Sequence, residues 1–431
     1  MSARFDSLHD WLRWQETLHP REIELGLERV AAVFQRLYSK TFSSPVITIA
    51  GTNGKGSSLR MLESIYLADG YTTSAYSSPH LLCYNERIRL NGVEASDAEI
   101  VAAFERIDAA RADISLTYFE FGTLAALDIF MRQQADVVLL EVGLGGRLDA
   151  VNIIDADLAL LTAISLDHTA WLGDNREAIG FEKAGILRSG KSVVCSDPDL
   201  PQSVLKHARE LNSPLYRLGY EFDFELTSQG WRWRECTGQA QELPQPSLRG
   251  AHQYRNAAGV LMTLALMQSR LPVSRAATRS GLLDARLPGR FQSVPGQSRS
   301  GVSWIYDVAH NPDSVRQLAQ MLAETGHDGR TIALLGMLAD KDVAAALAHI
   351  HLQINDWHLA PVDSPRSEKP EKLKKIIISQ GKAPVSVHAS VADAWTAIEK
   401  ATEAGDRIVV FGSFYTVSEA MMVAQEHGQR I

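Results

Sequence analysis

A β-branched run, Val46–Ile49, leads directly into the glycine-rich loop Gly51-Thr52-Asn53-Gly54-Lys55-Gly56-Ser57, and Leu59, Leu62 and Tyr66 follow at helical spacing. A strand, a glycine-rich turn, a lysine and a helix, in that order, form the arrangement that holds phosphate. Glycines let backbone N–H groups approach the oxygens, the helix N-terminus adds partial positive charge, and Lys55 adds a full one. The general nucleotide-loop pattern asks for a glycine five residues before the Gly-Lys pair. Ile49 stands there, so that pattern fails and a different string, GTNGKGSS, takes its place. The plain alternative is a glycine-rich strand-to-helix turn with no ligand, which leaves Lys55 unexplained.

Around this loop the pattern is strand alternating with helix. Strand-like runs lie at Thr72–Tyr76, Val137–Glu141, Leu158–Ile164 and Ser192–Cys195, and helical patterns at Leu8–Leu18, Glu22–Tyr38, Asp97–Ala110 and Phe119–Gln134. Ser96 and Glu99 make a capping box for the third of these helices. The alternation predicts an α/β fold with a parallel sheet covered on both faces. Residues 221–242 alternate aromatic and polar side chains and read as a β-hairpin attached to that body. The stretch PGQSRSG, residues 295–301, is polar and turn-rich and is read as a linker. Beyond it the alternation restarts, with strands predicted at Val302–Tyr306, Thr331–Leu335, Trp357–Leu359, Val385–His388 and Ile408–Phe411. Asn311-Pro312 opens a helix as N-cap and first-turn proline. The expected domains are residues 1–294, a phosphate-loop ATPase domain, and 302–431, a smaller Rossmann-like α/β domain.

Charge narrows the partners. With 43 basic and 51 acidic residues the net charge is −8, so no basic excess is available to offset nucleic-acid phosphates. Acidic small molecules must then be met by local Lys and Arg. Met1–Asp10 carries no secretory signal pattern, and the apolar runs are strand-length, short of the ~20 residues a bilayer needs. Cys83, Cys195 and Cys236 are scattered and odd in number, fitting neither a disulfide framework nor a zinc site. The expectation is a cytoplasmic, monomeric enzyme acting on small molecules, with no nucleic-acid or membrane partner.

The string AGTNGKGSS resembles the loop of the Mur ligase superfamily, in particular of folylpolyglutamate synthases and dihydrofolate synthases. The resemblance continues in YSSPHL (76–81), NERIRLNG (85–92), TYFEFGTLAAL (117–127), LEVGLGGRLDAVN (140–152), SLDHTAWLG (165–173), EKAGI (182–186), LPGRFQ (287–292), YDVAHNP (306–312), GMLADKD (336–342) and FGSFYTV (411–417). These blocks span nearly the whole chain in the family's order and look most like the bifunctional bacterial enzymes. The resemblance implies an ATP-dependent ligase that joins L-glutamate to dihydropteroate and adds γ-linked glutamates to reduced folates. The acceptor carboxylate would take the γ-phosphoryl group as an acyl phosphate, which glutamate then displaces. Such chemistry needs Mg²⁺ to spread charge on the transferring group, and the resemblance implies two ions.

Residue by residue, the resemblance assigns Thr52, Asn53, Gly54, Lys55, Gly56, Ser57, Asn256, Arg290 and Asp307 to ATP. It assigns Ser78, Glu141 and His168 to the metal, and catalytic roles to Lys55, His168, Lys183 and His310. These metal positions follow or end predicted strands, where the ligand crevice of an open α/β sheet lies. A buried histidine bonded to backbone is the alternative for His168. Lys183 matches a lysine that is carbamylated in the family and so helps hold a second Mg²⁺. The bland alternative is a helix-surface lysine paired with Glu182 or Glu177. Arg290 would bridge phosphates from near the domain junction, or else form an interdomain salt bridge. His310 and Ser413 match glutamate-binding positions. For dihydropteroate the matching segments are Ile23, Glu24 and Leu25; Thr117, Tyr118, Phe119 and Glu120; and Leu148, Asp149 and Ala150. Asp149 can accept hydrogen bonds from a pterin, and can equally serve as a loop cap. The loop from Ser78 to Gly92 reads as a lid. A nucleotide-linked cell-wall Mur ligase is the runner-up, disfavoured because the phosphate loop begins only some fifty residues into the chain. A phosphate-loop switch or transport ATPase is the alternative from another class; it would show no dependence on glutamate.

Overall fold

The computed structural model describes residues 4–296, 301–381, 383–429 and 431. Chain contacts divide it into two compact units. The first comprises Met1–Ser165, Leu172–Ser247 and Gln253–Ala285; the second comprises Leu166–Trp171, Leu248–His252 and Arg286–Ile431.

In the first unit the strands are β1 Val46–Ala50, β2 Thr73–Tyr76, β3 Ile88–Leu90, β4 Val93–Glu94, β5 Val137–Glu141, β6 Leu158–Leu161, β7 Ser192–Cys195 and β8 Leu215–Arg217. They form one sheet in the order β4-β3-β2-β5-β1-β6-β7-β8. The six strands from β2 to β8 are parallel, and β3 and β4 add an antiparallel edge. β1, β2, β5 and β6 are buried along their whole lengths, as a sheet sandwiched between helices requires. On one face Val46, Val138 and Leu140 join a core with Trp11, Phe104, Phe121 and Phe130 from the helices Leu8–Leu18, Asp97–Arg111 and Tyr118–Gln133. The helix Lys55–Ala68 crosses from β1 to β2, and the helix Arg275–Asp284 packs on it closely. A Cβ on Gly281 would lie 2.5 Å from the Ile65 Cα.

Three expectations change in detail. The strand predicted over Leu158–Ile164 stops at Leu161, because the next residues turn to bond the phosphate loop. The Thr52 N–H donates to the Ala163 carbonyl at 2.7 Å. The helix predicted from Glu22 begins at Glu28, and the Gly26 N–H instead donates to the Leu148 carbonyl at 3.3 Å. The predicted hairpin is a three-stranded antiparallel sheet of β9 Phe222–Thr227, β10 Gly230–Glu235 and β11 Ala240–Leu243, with Trp231 and Trp233 buried.

The second unit has its own sheet. Its strands are β12 Gln292–Pro295, β13 Ser303–Tyr306, β14 Thr331–Leu335, β15 Asp356–Leu359, β16 Val385–Val387 and β17 Arg407–Phe411, in the order β12-β13-β17-β14-β15-β16. All neighbours are parallel except β12, which runs antiparallel to β13 with Gln292 opposite Tyr306 and Pro295 opposite Ser303. The described ends of the expected linker, Pro295 and Gly301, lie with this unit, whose continuous C-terminal part begins at Arg286. Residues 297–300 of that stretch lie outside the described residues. Ala333, Leu335, Trp357, Val409 and Phe411 meet Leu318 and Leu322 of the helix Pro312–Glu324 in the core. That helix starts as its sequence indicates, with Asn311 accepting from the Ser314 N–H and proline in the first turn. Among the described residues no helix is long and apolar enough to cross a membrane, and the three cysteines are free.

Candidate active site

The phosphate loop leaves the C-terminal end of β1, between β5 and β6. Gly51 is required by crowding, since a Cβ there would meet Thr162 Oγ1 at 1.8 Å. Gly54 is the N-cap of the helix Lys55–Ala68, in the left-handed region at φ 97°, and a Cβ on it would lie 2.5 Å from Asn256 Oδ1. No side chain caps this helix, so its first-turn N–H groups are presented as the loop type demands. Lys55 Nζ donates to the carbonyls of Gly51 at 3.0 Å and Thr52 at 3.2 Å. Thr52 exchanges hydrogen bonds with the Ser165 backbone, Oγ1 donating at 2.9 Å and accepting at 3.0 Å. Gln253 joins the far side: its Nε2 donates to Ser57 Oγ, and its Oε1 accepts from Asn256 Nδ2 at 3.0 Å. The structure thus gathers Thr52, Gly54, Lys55, Ser57 and Asn256 at one helix end.

Strand order places the next candidates beside the loop. Glu141 ends β5 in register with Ile49 of β1, and is buried. Ser78 follows β2, the other neighbour of β5. The Ser78 hydroxyl lies 3.3 Å from where a Gly143 Cβ would be, and the Phe119 ring reaches within 2.5 Å of the same point. Lys183 lies in the helix Arg176–Ala184 and is buried, 3 % exposed, so it is not a helix-surface lysine. Glu182 pairs with Arg147 at 2.9 Å, and Glu177 accepts the Gln202 and Ser203 N–H groups.

Two of the three predicted acceptor segments meet at Arg29, a residue the sequence reading omits, and the third meets nearby Gly26. Arg29 bonds Glu24 Oε1 at 2.5 Å and Glu120 Oε1 at 2.8 Å, while Gly26 holds the Leu148 carbonyl. Thr117 and Glu120 form the capping box of the helix Tyr118–Gln133. Asp149 is fully buried and accepts from Leu144 and Val151 N–H groups at 2.8 and 3.0 Å. The loop-cap role weighed for it is therefore present. Burial pushes its carboxyl up to about 6, against the pull of those N–H groups and of Lys55.

In the second unit Asp307 and His310 follow β13, and Ser413 follows its parallel neighbour β17. Asp307 is buried and accepts from the Phe291 and Ala309 N–H groups at 2.8 Å each. Burial raises its carboxyl, opposed chiefly by the Arg290 charge and then by the Phe291 and Ala309 N–H groups. Ser413 caps the helix Phe414–Glu426, accepting from the Thr416 N–H. The Phe414 ring then faces both Arg290, 5.3 Å from its centroid, and the His310 ring at 6.1 Å. His168 lies with this unit, half-buried at φ 51°, and its carbonyl accepts from the Trp171 N–H.

Asp167 and Lys341 were missed by sequence reasoning and complete the cluster. Asp167 accepts from His310 Nε2 at 3.3 Å, Asn311 Nδ2 at 3.1 Å and Lys341 Nζ at 2.5 Å. Burial alone would raise its carboxyl, but the hydrogen bond and charge of His310 and the charges of Lys341 and His168 hold it far below the usual range. His310 Nδ1 faces the Val308 carbonyl at 2.8 Å. Both ring nitrogens therefore face acceptor oxygens. Asp167 and Lys341 lie in SLDHT and GMLADKD, two of the blocks that carry the resemblance, and that was the available signal.

Comparison with known proteins agrees with these features. Residues 289–414 match the family described as Mur ligase, glutamate ligase domain. The dihydrofolate synthase/folylpolyglutamate synthase of Escherichia coli is 45% identical over 416 residues, 96% of this chain and 95% of that one. The structure of E. coli FolC in complex with DHPP and ADP superposes with a TM-score of 0.92 at 43% identity, covering 100% of both chains. The Yersinia pestis bifunctional folylpolyglutamate synthase/dihydrofolate synthase complexed with AMPPNP and Mn ion gives 0.89 at 44% identity, covering 99% of this chain and 100% of that one. A phosphate loop at the end of β1, a buried carboxylate beside it and full-length likeness of this degree lead to one conclusion: the chain belongs to the dihydrofolate synthase/folylpolyglutamate synthase family of Mur-type ATP-dependent ligases.

Proposed function

We propose that this protein uses ATP to join L-glutamate to dihydropteroate, giving dihydrofolate, and adds further γ-linked glutamates to reduced folates. The observation that carries it is the pairing of the loop Gly51–Ser57 with Glu141, held in adjacent register by β1 and β5. A carboxylate is a poor electrophile, and transfer of a phosphoryl group to it as an acyl phosphate makes it a good one. In the first unit, the N–H groups at the start of the helix Lys55–Ala68 and the Lys55 ammonium bind and orient the ATP phosphates. Asn256 supports this loop from behind Gly54, and Glu24, Thr117–Glu120 and Leu148–Ala150 hold the acceptor.

Ser78 and Glu141 in the first unit, and His168 in the second, offer a hydroxyl, a carboxylate and an imidazole, donor types that suit Mg²⁺, which takes few protein ligands and keeps its waters. Such an ion would spread charge on the transferring phosphoryl group. The burial of Lys183 fits its carbamylation better than a surface ion pair, because burial disfavours an ammonium. A second ion held with its help is part of this proposal. In the second unit Arg290 and Asp307 serve ATP, and His310 and Ser413 serve the incoming glutamate, with the N-terminus of the helix Pro312–Glu324 suited to its carboxylates. The enzyme would act as a cytoplasmic monomer.

Oxygen labelling tests the acyl phosphate. With ¹⁸O in the acceptor carboxylate, one labelled oxygen is expected in the phosphate released. Unlabelled phosphate, or ADP formed at the same rate without glutamate and acceptor, would contradict the reading and favour a switch ATPase.

A further inference from the structure

Arg87 is a buried cation, and its guanidinium lies among aromatic rings. It is 8 % exposed, and no aspartate or glutamate pairs with it among the described residues. Glu86, next in the chain, is committed elsewhere: its carboxylate accepts the N–H groups of Leu81, Leu82 and Cys83. Arg87 Nε donates to His80 Nδ1 at 2.8 Å, and its guanidinium lies over two rings, 5.3 Å from Tyr84 and 5.5 Å from Tyr118. Its charge and a hydrogen bond also act on the Tyr76 hydroxyl. Ring faces and neutral acceptors offset a buried positive charge only in part. A loop so firmly tied through Glu86 keeps that charge where an anionic ligand can complete it.

The surroundings say which ligand. Tyr118 belongs to the acceptor segment Thr117–Glu120, and Phe119, next to it, reaches the position beside Gly143 where the Ser78 hydroxyl also lies. Because His80 Nδ1 accepts from Arg87, the ring hydrogen sits on Nε2. The Tyr84 hydroxyl is buried there without a hydrogen-bond partner. A guanidinium with no carboxylate partner among the described residues, beside a ring N–H donor, matches a carboxylate.

We propose that Arg87, together with the His80 side chain it orients, binds a carboxylate of the acceptor substrate and sets the requirement for a carboxylate-bearing pterin. This rests on the folate reading above. Binding of dihydropteroate and of its carboxamide analogue to the full chain, with a non-hydrolysable ATP analogue and Mg²⁺, separates the two ideas. The wild type is expected to bind the acid at least ten times more tightly than the amide. Arg87→Gln is expected to lower that ratio about tenfold while leaving affinity for the ATP analogue unchanged. His80→Gln, which keeps an N–H donor, should preserve more of the ratio than His80→Phe. If Arg87→Gln does not fold, Arg87→Lys and His80→Phe read the same ratio. An unchanged acid-to-amide ratio in the folded variants, or equal binding of both compounds by the wild type, overturns the role of Arg87. A wild type that binds neither compound contradicts the folate reading itself.

Discussion

Asp149 carries two duties whose costs can be measured. Its carboxylate caps the turn after Arg147 through the Leu144 and Val151 N–H groups, yet burial pushes it up to about 6. An unfolded aspartate titrates near 3.9, so the folded protein holds this proton more tightly than the unfolded chain. The resulting stabilisation is full below about pH 4 and is lost as pH rises through about 6. It amounts to on the order of 2–3 kcal/mol. Urea unfolding at pH 4 and pH 7 is expected to show Asp149→Asn losing less stability across that window than the parent. Lys55 is a simpler case, since its ammonium already rests on the loop carbonyls. Lys55→Ala is expected to lower turnover by about 3–4 kcal/mol, a few-hundred-fold or more, in an ADP-release assay. At this scale the placement of the loop, Ser78 and Glu141 was legible, since each lies at or just past the end of a recognisable strand. Asp167 and Lys341 were not. They stand 174 residues apart, and a single sequence carries no record of a pairing at that distance.

Elements were legible where composition and turn chemistry agree. Val137–Glu141 and Thr331–Leu335 stand as read, and Asn311-Pro312 opens its helix. The strand expected to reach Ile164 failed because its last residues bond the phosphate loop, a tertiary contact that apolar periodicity does not encode. The ends of the expected linker were not legible for a related reason, since the pairing of Pro295 with Ser303 between β12 and β13 is a tertiary contact. Among the elements the turn at Gly54 is the most sharply constrained. Its φ of 97° disfavours any side chain, and Asn256 occupies the space a Cβ would need. Gly54→Ala is expected to destabilise the protein by about 1–3 kcal/mol, seen in its melting, and to weaken binding of an ATP analogue.

At the scale of the whole molecule the chain is two α/β units, each with its own sheet and its own group of candidate residues. The first holds the phosphate loop, Glu141 and the acceptor segments; the second holds Asp307, His310 and Ser413 among the residues matching a glutamate ligase domain. The net charge of −8 confines positive charge to such local groups, as a small-molecule enzyme requires. The most direct measurement is the mass of the products when the pure protein is incubated with ATP, Mg²⁺ and glutamate, with dihydropteroate or tetrahydrofolate offered separately. A gain of one glutamyl unit on each acceptor, matched by ADP, is the expected result. No glutamyl gain on either acceptor would contradict the account.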